Sequence, residues 1–142
     1  LRVVGSGPLS ARCRAFVRAE GLEGRVSFEG ERDHARLPDF FRGLDLFVLP
    51  SRFEAFGCVF AEAWSCGTPF IACEGTGPEE LIRPEDRRLW LCRPGDAADL
   101  AEKIVRFARE RPVQRLAAPV AFSETLPPFL DWLESRRAAL LQ

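Results

Sequence analysis

The chain has 142 residues, 46% of them apolar and 29% charged, with a formal net charge of −1. Those figures describe one ordinary globular domain with room for a core. They exclude nucleic-acid binding through a general basic field, and no apolar stretch is long enough to read as a membrane span.

The chain opens on an apolar run, Leu1-Arg2-Val3-Val4, with no initiating Met. This looks like a strand caught part-way, so a fragment of a longer protein is expected. Gly5-Ser6-Gly7-Pro8 is a tight turn. Ser10 to Glu20 sets Phe16 and Val17 against Arg12, Arg14 and Arg18, an amphipathic helix closed by Gly21. Glycines at 5 and 7 after a strand hint at a nucleotide site, but the third glycine of that motif is missing. A turn that simply needs glycine explains them equally. Arg25 to Glu29 is the second strand, with Val26 and Phe28 alternating. Gly30-Glu31-Arg32-Asp33 then forms the loop at a strand's C-terminal end, where open α/β sheets bind ligands; a solvated charged loop is the alternative. His34, the only histidine, starts the next helix on the surface. Leu37 to Gly43 is a short helix whose Phe40 and Phe41 belong to the core, and Asp45 is expected to bond locally.

The most informative stretch is Leu46 to Ala72. The run Asp45-Leu46-Phe47-Val48-Leu49 ends at Pro50-Ser51 and reads as a buried strand reaching a turn. After the loop to Gly57, Cys58 to Ser65 has helical composition and stops at Cys66-Gly67. Thr68 to Cys73 is another apolar run. Strand, helix and strand in so short a span make a βαβ unit with parallel strands. The first amides of that helix lack internal partners and carry the positive end of its dipole, so they attract an anion. Glu54 lies just before the helix and Glu62 about two turns into it. Carboxylates flanking an anion pocket suit hydroxyl donors on both sides of a phosphate, the layout of a nucleoside diphosphate sugar. Val59, Phe60, Ala63 and Trp64 make the helix apolar nearly all round, so Glu62 needs a partner or an open cleft.

Downstream, Glu74 to Ile82 is a loop opening into a short helix, with Pro78 in the first turn and Glu79 and Glu80 suited to its positive end. Leu89 to Cys92 is the last strand. Asp96 caps a helix over Ala97 to Arg109 that directs Leu100, Ile104, Val105 and Phe107 at the sheet. Beyond Pro112 the pattern loosens through Pro119, Pro127 and Pro128, and Phe129 to Leu141 reads as a final amphipathic helix. Five scattered cysteines with no C-x-x-C spacing read as reduced thiols, implying neither a disulfide nor a metal site.

Pro50-Ser51-Arg52-Phe53-Glu54-Ala55-Phe56-Gly57, followed by Glu62-Ala63-Trp64-Ser65-Cys66-Gly67-Thr68-Pro69, resembles the E-x7-E signature of retaining GT-B glycosyltransferases, family 4 in particular. The match extends to Val3–Pro8, Arg25–Gly30 and Gly77–Leu81, in the same order over most of residues 1–110. The resemblance implies a doubly wound, Rossmann-like parallel sheet, the C-terminal half of a GT-B fold. It implies a UDP- or GDP-sugar donor and transfer with retention to a glycan or lipid-linked acceptor, as in bacterial cell-surface polysaccharide synthesis. Glu54, the one residue given a catalytic part, would hold hydroxyls of the transferred sugar. Ala55, Phe56, Gly57 and Cys58 would meet the sugar and diphosphate, and Glu62 would accept both ribose hydroxyls. Gly5 and Gly7 would wall the pocket, Glu31 and Asp33 would lie beside the base, and Gly77 and Glu80 would match a Gly-Gly-x-x-Glu stretch, with Thr76 in place of its first glycine. The relatives generally need no metal or other cofactor, and no Asp-x-Asp occurs here. An Arg and a Lys that steady the leaving diphosphate should lie upstream of Leu1, together with the domain's first strand and an N-terminal acceptor domain. The 142-residue chain is therefore expected to be inactive alone. The resemblance also implies a cytoplasmic protein, with any attachment to the inner membrane face supplied by the missing half.

Other classes stay open. A glycosidase could use two glutamates, but Glu54 and Glu62 sit by an anion pocket, which suits a hydrolase poorly. A nucleotide-sugar 2-epimerase of GT-B type shares the sheet, and a non-catalytic nucleotide-binding or interaction module would keep the fold without transfer.

Overall fold

The computed structural model describes residues 1–116. The sequence reading of Pro119, Pro127, Pro128 and the helix at Phe129 to Leu141 falls outside the described residues.

Strand β1 (Arg2–Val4) runs through the turn at Gly5–Pro8 into helix α1 (Ser10–Ala19), which returns the chain to β2 (Ser27–Gly30). The two strands pair in parallel, Arg2 beside Ser27 and Val3 beside Phe28. A 3-10 turn (His34–Arg36) leads into α2 (Leu37–Arg42) and then β3 (Phe47–Val48). Helix α3 (Cys58–Ser65) crosses to β4 (Phe70–Cys73), and a second 3-10 turn (Gly77–Leu81) and helix α4 (Arg87–Trp90) precede β5 (Leu91–Cys92) and α5 (Ala97–Glu110). Strands β3, β4 and β5 form a second parallel group in that order. The expected α/β architecture with parallel strands is present. Its sheet falls into two hydrogen-bonded groups, because no ladder joins β1 to β3 among the described residues.

Every residue of β4 is buried, as expected for the middle strand of a parallel group covered on both faces. Aromatic rings tie the two groups together. Phe40, Phe41, Phe47, Phe60 and Phe70 contact one another in sequence, at centroid separations of 5.7, 5.4, 5.5 and 5.1 Å. The chain of rings runs from α2 through β3 and α3 to β4. The guanidinium groups of Arg2 and Arg32 also lie over the Phe40 ring, at 4.7 and 5.0 Å from its centre. Both arginines bind Glu29, which holds that carboxyl down at about 2, chiefly through the hydrogen bonds from Arg2 and Arg32. Thr68, buried at the start of β4, donates its hydroxyl to the Phe41 carbonyl at 2.6 Å and fixes α2 over that strand.

Four expectations need correction. The last strand is only Leu91–Cys92. Leu89 and Trp90 belong to the helical turn α4, where Trp90 packs buried against Phe107 at 6.1 Å. On α5 only Phe107 is buried; Ile104 and Val105 are 37% and 46% exposed, and the inward face runs through Leu100, the Lys103 stem and Phe107. On α1 Val17 is the buried residue and Phe16 is exposed, since one residue turns the helix by about 100°. Asp45 does not bond locally: Arg111 donates to its carboxylate across the fold at 2.7 Å. The expected cap holds, with the Asp96 carboxylate accepting the Ala98 and Asp99 amides at 3.1 and 3.0 Å.

Candidate functional site

The C-terminal ends of β1 to β4 carry four loops, and these interlock in pairs. The turn after β1 meets the loop after β2. The Gly5 amide donates to the Gly30 carbonyl at 2.7 Å, and the Ser6 hydroxyl to Glu31 at 2.5 Å. Gly5 and Gly30 have φ of 109° and 68°, where a side chain would strain the backbone. Gly7 donates its amide to Ser10 at 3.1 Å. Asp33 caps the 3-10 turn by accepting the Ala35 amide at 3.0 Å, and Arg32 is held by Glu29. The side chains of Glu31, Arg32 and Asp33 are thus committed to the protein itself.

The second pair is tighter. After β3 the chain passes Ser51, Arg52 and an almost bare Phe53, 95% exposed, to reach Glu54–Gly57. Gly57 precedes α3 with φ 72°, and a Cβ there would lie 2.7 Å from both the Phe60 ring and Pro78, and 3.1 Å from the Glu54 side chain. The glycine is therefore set by backbone conformation and by packing, and the side where a Cβ would project is filled. The loop after β4 closes onto the same segment. Gly77 donates its amide to the Glu54 carbonyl at 2.9 Å, and its Cα faces the Ala55 carbonyl so closely that a Cβ would meet that oxygen at 1.9 Å. Thr76, at the position where the resemblance expects glycine, is buried and donates its hydroxyl to the Cys73 carbonyl at 2.6 Å, anchoring the loop to β4.

Glu54 and Glu80 have no hydrogen-bond or ion-pair partner for their carboxylates among the described residues; Glu54 is half-buried and Glu80 exposed. Glu62 is 36% exposed, and its nearest ionic neighbour is His34, with Nε2 3.5 Å from Oε1. The Phe60 amide closes onto the Gly57 carbonyl at 2.9 Å, leaving Cys58 and Val59 as the leading amides of α3. Alongside runs a cleft of about 420 Å3 between α2 and α3, almost wholly apolar, with Leu37, Pro38 and Phe41 on one wall and Cys58, Ala61 and Cys66 on the other. Glu62, His34 and Phe56 also line it.

The predicted site residues therefore gather in two neighbourhoods at one edge of the fold. Glu54, Ala55, Phe56, Gly57, Cys58, Gly77 and Glu80 share the second loop pair, Gly5, Gly7, Glu31 and Asp33 the first, and Glu62 adjoins the cleft. Sequence reasoning missed the cleft walls. Its signal was present as the spacing 58, 61, 62, 65, 66 along one helical face. It placed Glu79 at the positive end of the short helix but not its partners: the carboxylate accepts the Gly75 amide at 2.6 Å and an Arg87 donor at 2.7 Å.

The arrangement offers hydroxyl-accepting carboxylates beside leading helix amides and an apolar slot. The profile of the glycosyl transferases group 1 matches residues 1–110, and the chain belongs to that family. It is 36% identical over 124 residues to the lipopolysaccharide core biosynthesis mannosyltransferase LpsB of Rhizobium meliloti, covering 87% of this chain and 35% of LpsB. It is 31% identical over 115 residues to the N-acetyl-alpha-D-glucosaminyl L-malate synthase of Bacillus anthracis, covering 81% and 29%. Among solved structures, Anabaena HepE in complex with UDP-glucose superposes with a TM-score of 0.68 at 29% identity, covering 78% of this chain and 31% of HepE. Sucrose-phosphate synthase from Thermosynechococcus elongatus gives 0.67 at 35% identity, covering 78% and 29%. The chain thus spans about a third of these relatives. Its structural neighbours are GT-B glycosyltransferases, in keeping with the parallel α/β fold. Among the described residues no helix is long and apolar enough to cross a membrane.

Proposed function

We propose that the chain is the nucleotide-sugar donor domain of a retaining, family 4 glycosyltransferase acting on a glycan or lipid-linked acceptor in cell-surface polysaccharide synthesis. The observation that carries this is the pair Glu54 and Glu62. One carboxylate is without a partner among the described residues, the other opens onto an apolar cleft, and the leading amides of α3 lie between them in sequence. Buried or half-buried carboxylates left this way are costly unless a ligand's hydroxyls satisfy them. The HepE complexes with UDP-glucose and with UDP support a nucleotide-sugar partner.

In this reading the diphosphate rests on the Cys58 and Val59 amides and the helix dipole. Glu62 accepts the two ribose hydroxyls through its two oxygens, and the flat base passes between the Gly30–Asp33 backbone and the apolar cleft wall at Leu37. Glu54 holds hydroxyls of the sugar, with the Phe56 and Gly57 backbone beneath it and Gly77 and Glu80 at its far side. Transfer follows front-side displacement. The departing phosphate takes the acceptor's proton, and the protein stabilises the charge that grows on the diphosphate and the oxocarbenium-like carbon. No metal or other cofactor enters this scheme. Cations that steady the diphosphate, the acceptor-binding domain and any membrane contact belong to further parts of a longer protein, so the 142-residue chain alone transfers nothing. The protein works in the cytoplasm, where its donors are made.

Calorimetric titration with UDP, GDP and ADP tests the proposal. One nucleotide should bind, and Glu62→Ala should weaken it by about one to two decades, the equivalent of about 1–3 kcal/mol for a lost acceptor, with the melting temperature unchanged. A variant that binds as well as the parent would overturn the assignment of Glu62.

A further inference from the structure

The loop after β4 has a built support that the proposed donor contacts leave unused. Glu79 spends both carboxylate oxygens inside the protein: Oε2 accepts the Gly75 amide at 2.6 Å and Oε1 accepts from Arg87 Nη1 at 2.7 Å. Both side chains are partly screened, 24% exposed for Glu79 and 39% for Arg87. The Arg87 Nε is buried with no partner among the described residues, so the guanidinium is tied down through its Glu79 contact. Between the two anchors of the loop, Thr76 on the Cys73 carbonyl and Glu79 on Arg87, stands Gly77. Its amide holds the Glu54 carbonyl at 2.9 Å. Pro78, fully buried, packs where a Gly57 Cβ would be.

From this chain of contacts we infer that Glu79 and Arg87 are a positioning pair, an ion-pair latch from α4 that sets the backbone height of Glu54 and hence its reach to the transferred sugar. The inference rests on the donor reading for its consequence, though the latch itself does not. Arg87 fixes Glu79, Glu79 fixes Gly75, and the short span to Gly77 leaves that amide one place to go. A free loop would let Gly77 and Ala55 part, and Glu54 would lose its register with the α3 amides while Glu62, on the helix, kept its own. The latch therefore acts on the sugar end of the donor and spares the nucleoside end. Such a split separates positioning from general damage to the fold, which would weaken both ends alike.

The test uses the whole chain with Glu79→Ala, Arg87→Ala and the milder Glu79→Gln, which keeps an acceptor for Gly75 if either alanine variant proves unstable. Amide hydrogen exchange at Gly77 is compared with that at Phe47, whose amide is bonded to the Pro69 carbonyl in the core. Protection at Gly77 should fall about tenfold while Phe47 holds. UDP-glucose binding should weaken about tenfold and UDP binding less than about twofold. Unchanged Gly77 protection in all three variants would overturn the latch. Equal losses for UDP and UDP-glucose would overturn its role at the sugar end. If the parent chain binds neither UDP-glucose nor UDP, the uridine form of the donor reading fails, and the exchange comparison still decides whether the latch exists.

Discussion

Replacing Gly77 with alanine tests the loop interlock on which the site depends. The new Cβ would stand 1.9 Å from the Ala55 oxygen, 2.6 Å from its carbonyl carbon and 2.9 Å from the Phe56 Cα, all of them backbone atoms. No side chain can swing away, so the two loops must part by about 1.5 Å to reach ordinary contact. That opening breaks the 2.9 Å bond from the Gly77 amide to the Glu54 carbonyl. A lost backbone bond costs about 1–1.5 kcal/mol and the forced shift about 1–3 kcal/mol. Together they predict a loss of about 2–4 kcal/mol, a large share of the roughly 5–15 kcal/mol that holds a domain. At about 3 °C per kcal/mol the melting temperature should fall by roughly 6–12 °C. Gly7→Ala is the internal control, since a Cβ there meets nothing within 4 Å. Urea unfolding of both variants beside the parent measures the difference. A Gly77→Ala midpoint within error of Gly7→Ala would refute the packing argument.

Two further perturbations probe the frame. Glu29 titrates near 2 in the folded protein against an ordinary 4.5, so its pairing with Arg2 and Arg32 favours folding above pH 4.5 and that contribution drains away as pH falls toward 2. Urea midpoints at pH 7, 4 and 3 should decline less steeply in Glu29→Gln; Asp99, also held low by the Arg93 amide, keeps a residual slope. An identical slope would remove Glu29 from the acid response. Gln114, 4% exposed, accepts the Phe70 amide and donates to the Phe70 carbonyl, at 2.9 and 2.8 Å. Gln114→Leu orphans both buried groups and should cost about 2–4 kcal/mol by denaturant titration; a loss below about 0.5 kcal/mol would contradict it.

What the sequence disclosed follows from which forces are local. The βαβ unit from β3 to β4 was legible because Pro50, Gly57 and Gly67 punctuate apolar runs of the right length, and each mark answers to backbone conformation near in sequence. The fourth helix was not. Leu89-Trp90-Leu91-Cys92 is one apolar run, and periodicity alone does not separate a buried helical turn from a strand; the Trp90 contact with Phe107 decides it. At the site, the residue types at 54, 57, 62 and 77 were readable, whereas the reasons for them were partly tertiary. Gly57 faces Pro78 and Gly77 faces Ala55, neighbours set by the closing of two loops. Arg111 with Asp45, Gln114 with Phe70 and Arg87 with Glu79 leave no trace in spacing, because each pairs a side chain with a distant element.

In the proposed donor complex a nucleotide sugar lies along the edge from Glu54 to Glu62, with its base toward the α2–α3 cleft. Amide chemical-shift mapping of the labelled chain during titration with UDP-glucose tests this most directly. Shifts should concentrate at Phe56–Val59, Glu62, Gly77 and the Gly30–His34 loop, all absent or much reduced in Glu62→Ala. Shifts centred instead on the smaller pocket of Pro50, Arg52, Arg93 and Ala97, with Glu62 and its neighbours unmoved, would contradict it.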